Sequence, residues 1–125
     1  MITGLHVLMY AVDADATRAF FRDVLKLKSV DAGEGWLIFA LPPAELGIHP
    51  SEQDTAPGES GASGTHTLNL MCDDINATVD ELRKKGVVFT KPVSDQGWGL
   101  VTRLRIPGGG EMQLYQPRHK TAAGS

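Results

Sequence analysis

The chain of 125 residues carries a net charge of −3 and is 42% apolar, which suits one domain with a buried core. No basic cluster is denser than Lys84-Lys85, and no apolar run reaches the roughly 18 residues of a membrane helix, so we expect no nucleic-acid or membrane partner. No signal peptide precedes Leu5, and the single Cys72 rules out an internal disulfide, so we expect a cytoplasmic location.

The first half of the chain predicts a strand, a helix and three further strands. Leu5–Val12 is apolar and β-prone, which predicts a buried strand. Asp13 or Asp15 can cap the helix that follows, whose apolar residues between Ala16 and Leu27 recur at helical spacing. The three further strands are expected at residues 28–30, 36–41 and 45–49.

The second half of the chain predicts the same order of elements. Asp74 can cap a helix that ends at Gly86, a residue suited to the position after a helix. The strands are expected at residues 68–72, 87–89, 100–106 and 111–116. Pro, Ser, Gly and acidic residues between the halves predict a linker, and the end of the chain from His119 is expected to fray. We therefore divide the chain into module 1 (4–50), a linker (51–65), module 2 (66–117) and a tail (118–125).

The two halves are copies of each other in sequence as well as in element order. Three segments recur: Asp13–Thr17 as Asp74–Thr78, Gly35-Trp36 as Gly97-Trp98, and Ala44–His49 as Gly110–Tyr115. Two copies are too few for a solenoid, so we expect them to pack against each other. Positions that hold different chemistry in the two copies indicate where function lies.

Alternation along each strand predicts a face that packs on a helix and a polar face opposite. In the last strand Met112 and Leu114 should face the helix, which leaves Gln113 and Tyr115 on the other side. The polar faces of the two modules should together form a cup, a concave site with convergent polar groups. The residues expected to bind a ligand there are His6, Tyr10, His49, Asn69, Arg103, Gln113 and Tyr115.

The turn at Pro107–Gly110 predicts which charges meet across the last two strands. A hairpin around it places Arg105 opposite Glu111 and Arg103 opposite Gln113. We expect Arg105 and Glu111 to form a cross-strand ion pair of about 0.2–1 kcal/mol. Arg103 then lacks an acidic partner, so it is the candidate for recognising an anionic or carbonyl-bearing ligand.

Three segments together resemble one protein family. The order βαβββ occurs twice, Phe20–Leu27 (FFRDVLKL) follows a first strand bearing His6, and Pro107–Gly110 precedes the final strand. Over residues 4–117 the chain resembles the vicinal oxygen chelate superfamily, which includes glyoxalase I, extradiol dioxygenases, fosfomycin-resistance transferases and bleomycin-resistance proteins. The resemblance implies an α+β fold in which two βαβββ modules form a cup-shaped mixed sheet, and it implies a homodimer.

The resemblance also implies a divalent metal in the cup, held by His or Glu from the first and last strands of each module. In this sequence those positions carry His6, Gly47, Thr67 and Gln113. A metal site needs at least three good ligands, and only the histidine is one, so we predict no standard metal site and no cofactor. Two alternatives stay open. His6, His49 and Glu111 could bind a displaced metal, or a bulge could turn His66 into the cup.

Two functions are consistent with these residues. The favoured hypothesis is a small-molecule-binding protein of the glyoxalase/bleomycin-resistance type that holds an organic ligand in the cup without a standard metal. The alternative is a metal-dependent glyoxalase- or dioxygenase-like enzyme, a lyase or oxidoreductase, in which His6 and nonstandard ligands hold a metal that acts as Lewis acid. His6 could also be a hydrogen-bonded pocket histidine or a general base. Cys72 is expected in the core, not as a nucleophile.

Overall fold

The computed structural model describes residue 1 and residues 3–122. Its elements are helix α1 (Ala14–Ala19), which continues as a π-helical turn (Phe20–Val24), strands β1 (Ser29–Asp31), β2 (Leu37–Phe39) and β3 (Asn69–Met71), helix α2 (Ile75–Lys84), and strands β4 (Phe89–Asp95), β5 (Gly99–Ile106) and β6 (Gly110–Pro117). The predicted α+β class is confirmed. No helix among the described residues has both the length and the apolar character needed to cross a membrane.

Both helices begin at the aspartates that the repeat predicts. Asp13 accepts a hydrogen bond from the Ala16 amide at 3.0 Å, and Asp74 accepts one from the Ala77 amide at 3.1 Å. Each carboxylate thereby satisfies an amide that has no partner within the first turn of its helix. Gly86 follows α2 with a φ of 89°, a conformation that glycine adopts without strain.

The second half of the chain forms a four-stranded mixed sheet in the order β3-β6-β5-β4. β3 runs parallel to β6, and the other neighbours are antiparallel. The predicted hairpin register is confirmed, since Arg103 pairs with Gln113 and Arg105 with Glu111. In the first half only β1 and β2 pair, as a two-stranded antiparallel sheet.

A single hydrophobic core joins both helices to one face of the four-stranded sheet. Ile75 of α2 and Leu104 of β5 are completely buried, and Phe20 and Phe21 reach the same cluster from the π-helical turn. The Phe21 ring also lies 5.9 Å from that of Phe39 in β2. Burying each such side chain stabilises the fold by about 1.5–3 kcal/mol. The helical part of the first half therefore packs against the second half.

Two hydrogen bonds fix the start of α1 against the turn between β5 and β6. The Asp13 amide donates to the carbonyl of Gly108 at 3.2 Å, and the Thr17 hydroxyl donates to the carbonyl of Pro107 at 2.7 Å. Gly108 has a φ of 73°, and a Cβ atom there would run into the backbone of Asp13. Only glycine satisfies both the turn and this close approach.

Two predicted strands, at residues 5–12 and 45–49, are not strands in the structure. Their apolar side chains lie in solvent, with Leu5 84% and Ile48 85% exposed. A strand needs a neighbour to satisfy its backbone amides and carbonyls, and among the described residues neither segment has one. The strand predicted at 87–89 begins only at Phe89 and extends to Asp95.

The predicted linker and tail contain more ordered contacts than their composition suggests. Within residues 51–65 the Glu52 amide donates to the Gly61 carbonyl at 2.8 Å, and Ala62 is buried. At the start of the predicted tail the Arg118 amide donates to the Trp98 carbonyl at 3.0 Å, and His119, from which fraying is expected, lies with its Nε2 2.8 Å from the Tyr115 hydroxyl. Residues 123–125 of the predicted tail lie outside the described residues.

Candidate functional site

Four of the seven predicted ligand-binding residues lie on one side of the four-stranded sheet. Asn69 pairs with Gln113, and Gln113 pairs with Arg103, so these three side chains form a row across β3, β6 and β5. Tyr115 lies two residues along β6 and points to the same side. Leu114, between Gln113 and Tyr115, points to the opposite side and is buried in the core. We call the side with the polar row the open face.

A carboxylate holds Arg103 on the open face. The Arg103 Nε lies 3.2 Å from Oε1 of Glu111, and the Thr90 hydroxyl donates to the same oxygen at 2.8 Å. The hydrogen bond from Thr90 and then that from Arg103 lower the pKa of Glu111 below its usual range, so this side chain is a carboxylate at neutral pH. Among the described residues, the Nη groups of Arg103 have no hydrogen-bond acceptor, which leaves them available to a ligand.

The predicted ion pair between Arg105 and Glu111 is therefore wrong, although their register is right. Arg103 forms the ion pair with Glu111 instead. The two residues are diagonal neighbours on adjacent strands, a separation that the long arginine side chain can span. Arg105 is exposed, whereas Arg103 is partly shielded from water, so the attraction to Glu111 is stronger for Arg103. The expectation that Arg103 lacks an acidic partner is wrong for the same reason.

An aromatic cluster lies at the other end of the open face. The Tyr115 hydroxyl lies 2.8 Å from Nε2 of His119, and the Trp98 ring stands edge-on to Tyr115 with centroids 5.6 Å apart. Partial burial and then the negative charge of Glu45 raise the pKa of Tyr115, so the phenol keeps its proton. The cluster offers a flat apolar surface beside a hydroxyl and an imidazole.

The sequence-based site prediction missed Trp98 and His119. For Trp98 the signal is the hairpin register, because the pairing of Gly99 with Pro117 brings Trp98 next to Arg118. Gly99 is a further signal, because a Cβ atom there would press on the Tyr115 ring and on the backbone of β6. No comparable signal points to His119, which follows the last strand.

A pocket of about 490 Å³ opens where β3 and β6 end, beside the aromatic cluster. Because these two strands are parallel, their carboxyl ends lie at the same edge of the sheet. The pocket is lined by Pro43, Met71, Cys72, Asp73, Gln116, Pro117, His119 and Thr121. Burial is the main cause that raises the pKa of Cys72, so this residue is a thiol that packs against the core and not a thiolate nucleophile.

The remaining three predicted site residues lie on segments without strand pairing. His6 and Tyr10 are exposed within residues 5–12, and His49 is exposed with its Nδ1 2.6 Å from the carbonyl of Pro50. Glu45, from the same part of the chain as His49, accepts a hydrogen bond from the Ala122 amide at 3.0 Å. A single chain therefore brings together only the half of the predicted site that its second half contributes.

The donors that the fold family would use for a metal do not fit one here. Gln113 carries an uncharged amide beside Arg103, and Gly47 has no side chain. Glu111, which a displaced site would need, is already bound to Arg103 and Thr90. Across residues 3–122 no three His, Cys, Asp or Glu side chains converge. A divalent ion needs at least three such ligands, so these residues do not fit a standard metal site.

A family model described as Glyoxalase/Bleomycin resistance protein/Dioxygenase superfamily matches residues 5–111. This match spans most of both predicted modules and includes Asn69 and Arg103 of the open face, but it ends before Gln113 and Tyr115. No curated protein is similar enough in sequence to count as a relative.

Solved structures share the fold at low sequence identity. A superfamily member from Sphaerobacter thermophilus DSM 20745 has a TM-score of 0.61 and 23% identity, covering 92% of this chain and 98% of its own. A lactoylglutathione lyase from Agrobacterium tumefaciens has a TM-score of 0.59 and 18% identity, with coverages of 91% and 92%. TnmS3, an antibiotic-binding protein from Streptomyces sp. CB03234, has a TM-score of 0.58 and 22% identity, with coverages of 94% and 99%. At these identities the likeness supports the fold alone.

Proposed function

Because this chain belongs to the glyoxalase/bleomycin resistance protein/dioxygenase superfamily, we propose that it binds a small organic molecule on the open face of its four-stranded sheet. The ligand is planar and carries a carboxylate or carbonyl group. No standard metal site takes part in its binding. In this proposal the protein is a binder and not a metal-dependent enzyme.

The proposal rests on the polar row of the open face, the side of the sheet on which neither helix packs. Asn69, Gln113 and Arg103 stand side by side, and the opposite side of the same strands is packed core. Because this face is polar and no helix covers it, it is better suited to binding a ligand than to packing as a second hydrophobic core. The antibiotic-binding protein TnmS3 supports an organic ligand on this fold.

Each part of the open face supplies a distinct contact. The Nη groups of Arg103 can donate two hydrogen bonds to a carboxylate or a carbonyl, and Glu111 keeps the guanidinium oriented. The amides of Asn69 and Gln113 add donors and acceptors next to it. The Trp98–Tyr115 pair, at the end of the row, provides the surface on which a planar group can stack.

Titration with a panel of aromatic carboxylates and 2-oxo acids, starting with benzoate, salicylate and phenylpyruvate, tests this proposal. Trp98 fluorescence in a Trp36→Phe background reports occupancy of the open face, and calorimetry gives the affinity. Arg103→Gln should weaken binding of the best ligand at least 10-fold, because a charge-assisted hydrogen bond contributes about 1.5–3 kcal/mol. Arg105→Gln removes the same charge outside the row and should leave the affinity within about 2-fold. Equal losses in both variants would contradict the proposed role of Arg103.

Metal analysis of protein purified without chelator separates the binder from the metal-dependent enzyme. We expect less than stoichiometric iron, manganese, nickel or zinc, and no change in ligand affinity with EDTA. Stoichiometric metal that disappears in His6→Ala would contradict the binder and favour the enzyme.

We also propose that the protein works as a homodimer in a reducing compartment such as the cytoplasm. The bare sheet edges support the first point, and the single free Cys72 supports the second. The division into module 1 (4–50), linker (51–65), module 2 (66–117) and tail (118–125) belongs to the same proposal.

A further inference from the structure

The chain just after the last strand is fixed at the aromatic end of the open face. The Arg118 amide donates to the Trp98 carbonyl at 3.0 Å, and the Arg118 guanidinium forms an ion pair with Asp95. His119 comes next, and its ring lies beside that of Tyr115, with the two centroids 5.9 Å apart. Because the residue before it is anchored twice, His119 meets Tyr115 in a defined geometry.

The two nitrogens of the His119 ring have different partners, and these partners determine which nitrogen carries the proton. Nδ1 lies 3.0 Å from the Lys120 carbonyl, and a carbonyl oxygen can only accept, so Nδ1 is the donor. In the neutral imidazole the other nitrogen, Nε2, is then an acceptor. The Tyr115 hydroxyl lies 2.8 Å from Nε2 and therefore donates its hydrogen bond to this nitrogen.

This chain of hydrogen bonds leaves the Tyr115 oxygen as an acceptor toward the open face. A phenol has one hydrogen to donate, and His119 takes it, so only the oxygen lone pairs remain for a ligand. Each hydrogen bond in such a chain polarises the next, which makes the oxygen a stronger acceptor. Partial burial raises the pKa of Tyr115, so the hydroxyl keeps its proton and the direction of the chain holds at neutral pH.

Arg103, along the same face, offers the opposite kind of group, because a guanidinium can only donate. Arg103 pairs with Gln113, and Val101 pairs with Tyr115, so Arg103 and Tyr115 lie two positions apart along the strands. Two positions along a strand correspond to about 6.5 Å. A benzene ring with para substituents carries them at a similar separation, whereas ortho substituents lie side by side.

We propose that the open face selects aromatic carboxylates that carry a hydrogen-bond donor, a hydroxyl or an amino group, in the para position. This inference rests on the proposed function and names the class of ligand for the same site. The carboxylate binds Arg103, the donor binds the Tyr115 oxygen, and the ring lies between them. Tyr115 contacts the ligand in this arrangement, whereas His119 is a positioning residue that acts through Tyr115.

Calorimetric titration with three acids tests the selection. 4-Hydroxybenzoate should bind about 5-fold or more tightly than 4-methoxybenzoate, which has no donor, and than salicylate, whose hydroxyl adjoins its carboxylate. Tyr115→Phe should bring the affinities of the 4-hydroxy and 4-methoxy acids within about 2-fold of each other. Equal binding of the three acids by the wild type, or a preference that survives in Tyr115→Phe, would overturn this inference and leave the proposed function standing. Failure of all three acids and of benzoate to bind would contradict the proposed function as well.

His119→Phe separates the orientation of the Tyr115 hydroxyl from its contact with the ligand. Without the imidazole acceptor this hydroxyl can donate to a ligand, so the 4-methoxy acid should gain affinity and the preference should fall to about 2-fold or less. His66→Phe replaces an exposed histidine before β3 and should retain the wild-type preference. A preference kept in His119→Phe would overturn the positioning role.

Nitrogen-15 NMR of the free wild-type protein tests the same hydrogen-bond direction without a ligand and without a change in stability. The spectrum should show His119 as the Nδ1–H tautomer, with Nε2 unprotonated, and the resonances missing from His119→Phe identify this ring. The Nε2–H tautomer, in which the ring donates to Tyr115, would overturn the inference.

Discussion

The two halves of the chain share a sequence pattern but differ in what the pattern builds. In the second half it forms four strands and a helix around buried residues such as Leu104 and Leu114. In the first half it forms a helix with a π-helical turn and one short hairpin, while the matching first and last strands stay unpaired. Leu114 is 3% exposed, and Ile48, its counterpart in the repeat, is 85% exposed.

The difference shows that strand alternation is necessary but not sufficient for a strand. Residues 45–49 have the same alternation as residues 111–115, but only the latter lie between two neighbours, β3 and β5. Helix signals behave differently, because a helix satisfies its own backbone. Asp13 and Asp74 both cap their helices even though the surroundings of the two helices differ.

The largest expected effect compares Leu114 with Ile48. Leu114→Ala should lower the free energy of unfolding by about 2–5 kcal/mol, since it leaves a cavity in the core. Ile48→Ala, at the matching position, should change it by no more than about 0.5 kcal/mol, because the side chain already lies in solvent. Urea denaturation of both variants at one protein concentration measures the difference. Similar losses would mean that residues 45–49 are packed as a strand after all.

A second comparison tests the contact between the halves at the Pro107–Gly110 turn. Gly108 and Gly110 both have positive φ, 73° and 83°, but only at Gly108 would a Cβ atom meet Asp13. Both alanine variants should lose about 1–2 kcal/mol from backbone strain. Gly108→Ala should lose a further 1–3 kcal/mol or so, because it must also displace the start of α1. Thermal unfolding of the two variants in parallel gives the excess, and its absence would contradict the docking of α1 on the turn.

The two helix caps should contribute equally to the free energy of unfolding. Asp13→Ala and Asp74→Ala should each cost about 0.5–2 kcal/mol, because each leaves an amide at 3.0–3.1 Å without its acceptor. Asp80→Ala, on the exposed side of α2, removes a carboxylate that caps nothing and should stay within about 0.5 kcal/mol of wild type. A cost confined to Asp74→Ala would show that α1 is held by its packing alone.

The smallest expected effect is the contribution of Glu111 to stability as a function of pH. The pKa of Glu111 is lowered in the folded chain, so its contribution is complete above the usual glutamate pKa of about 4.3 and is lost as pH falls through the lower folded value. The stability difference between wild type and Glu111→Gln should therefore be constant from pH 5 to 7 and shrink below pH 4. Guanidinium denaturation at each pH measures it, and a difference unchanged at pH 3 would contradict the hydrogen bonds that Glu111 accepts from Thr90 and Arg103.

The sequence predicted most of the second half. Capping at Asp74 was right because it depends on neighbours within one turn of helix, and the hairpin register was right because the Pro107–Gly110 turn fixes it. The alternation that places Gln113 and Tyr115 opposite Leu114 followed from the strand itself. These signals depend only on residues that are close together in the chain, so a single sequence is enough to read them.

What could not be predicted depends on contacts between distant segments. Whether residues 5–12 pair depends on a neighbouring edge, and the sequence shows the strand but not its partner. Glu111 pairs with Arg103 and not with Arg105 because the Arg103 guanidinium is the less hydrated of the two once the sheet has formed. His119 joins Tyr115 only because the chain turns back after β6. Whether these side chains bind a ligand remains a prediction.

The hydrogen bond between Thr17 and Pro107, 90 residues apart, has a consequence for protein synthesis. A growing chain exposes Phe20 and Phe21 early, yet their packing partners Leu104 and Ile106 are added only near the end. Domains generally begin to fold while they are still being translated, and closing so long a loop slows the final step. The half of the chain that is synthesised first can complete its packing only after the second half has been synthesised. The growing chain therefore carries Phe20 and Phe21 without Leu104 and Ile106 for most of its translation.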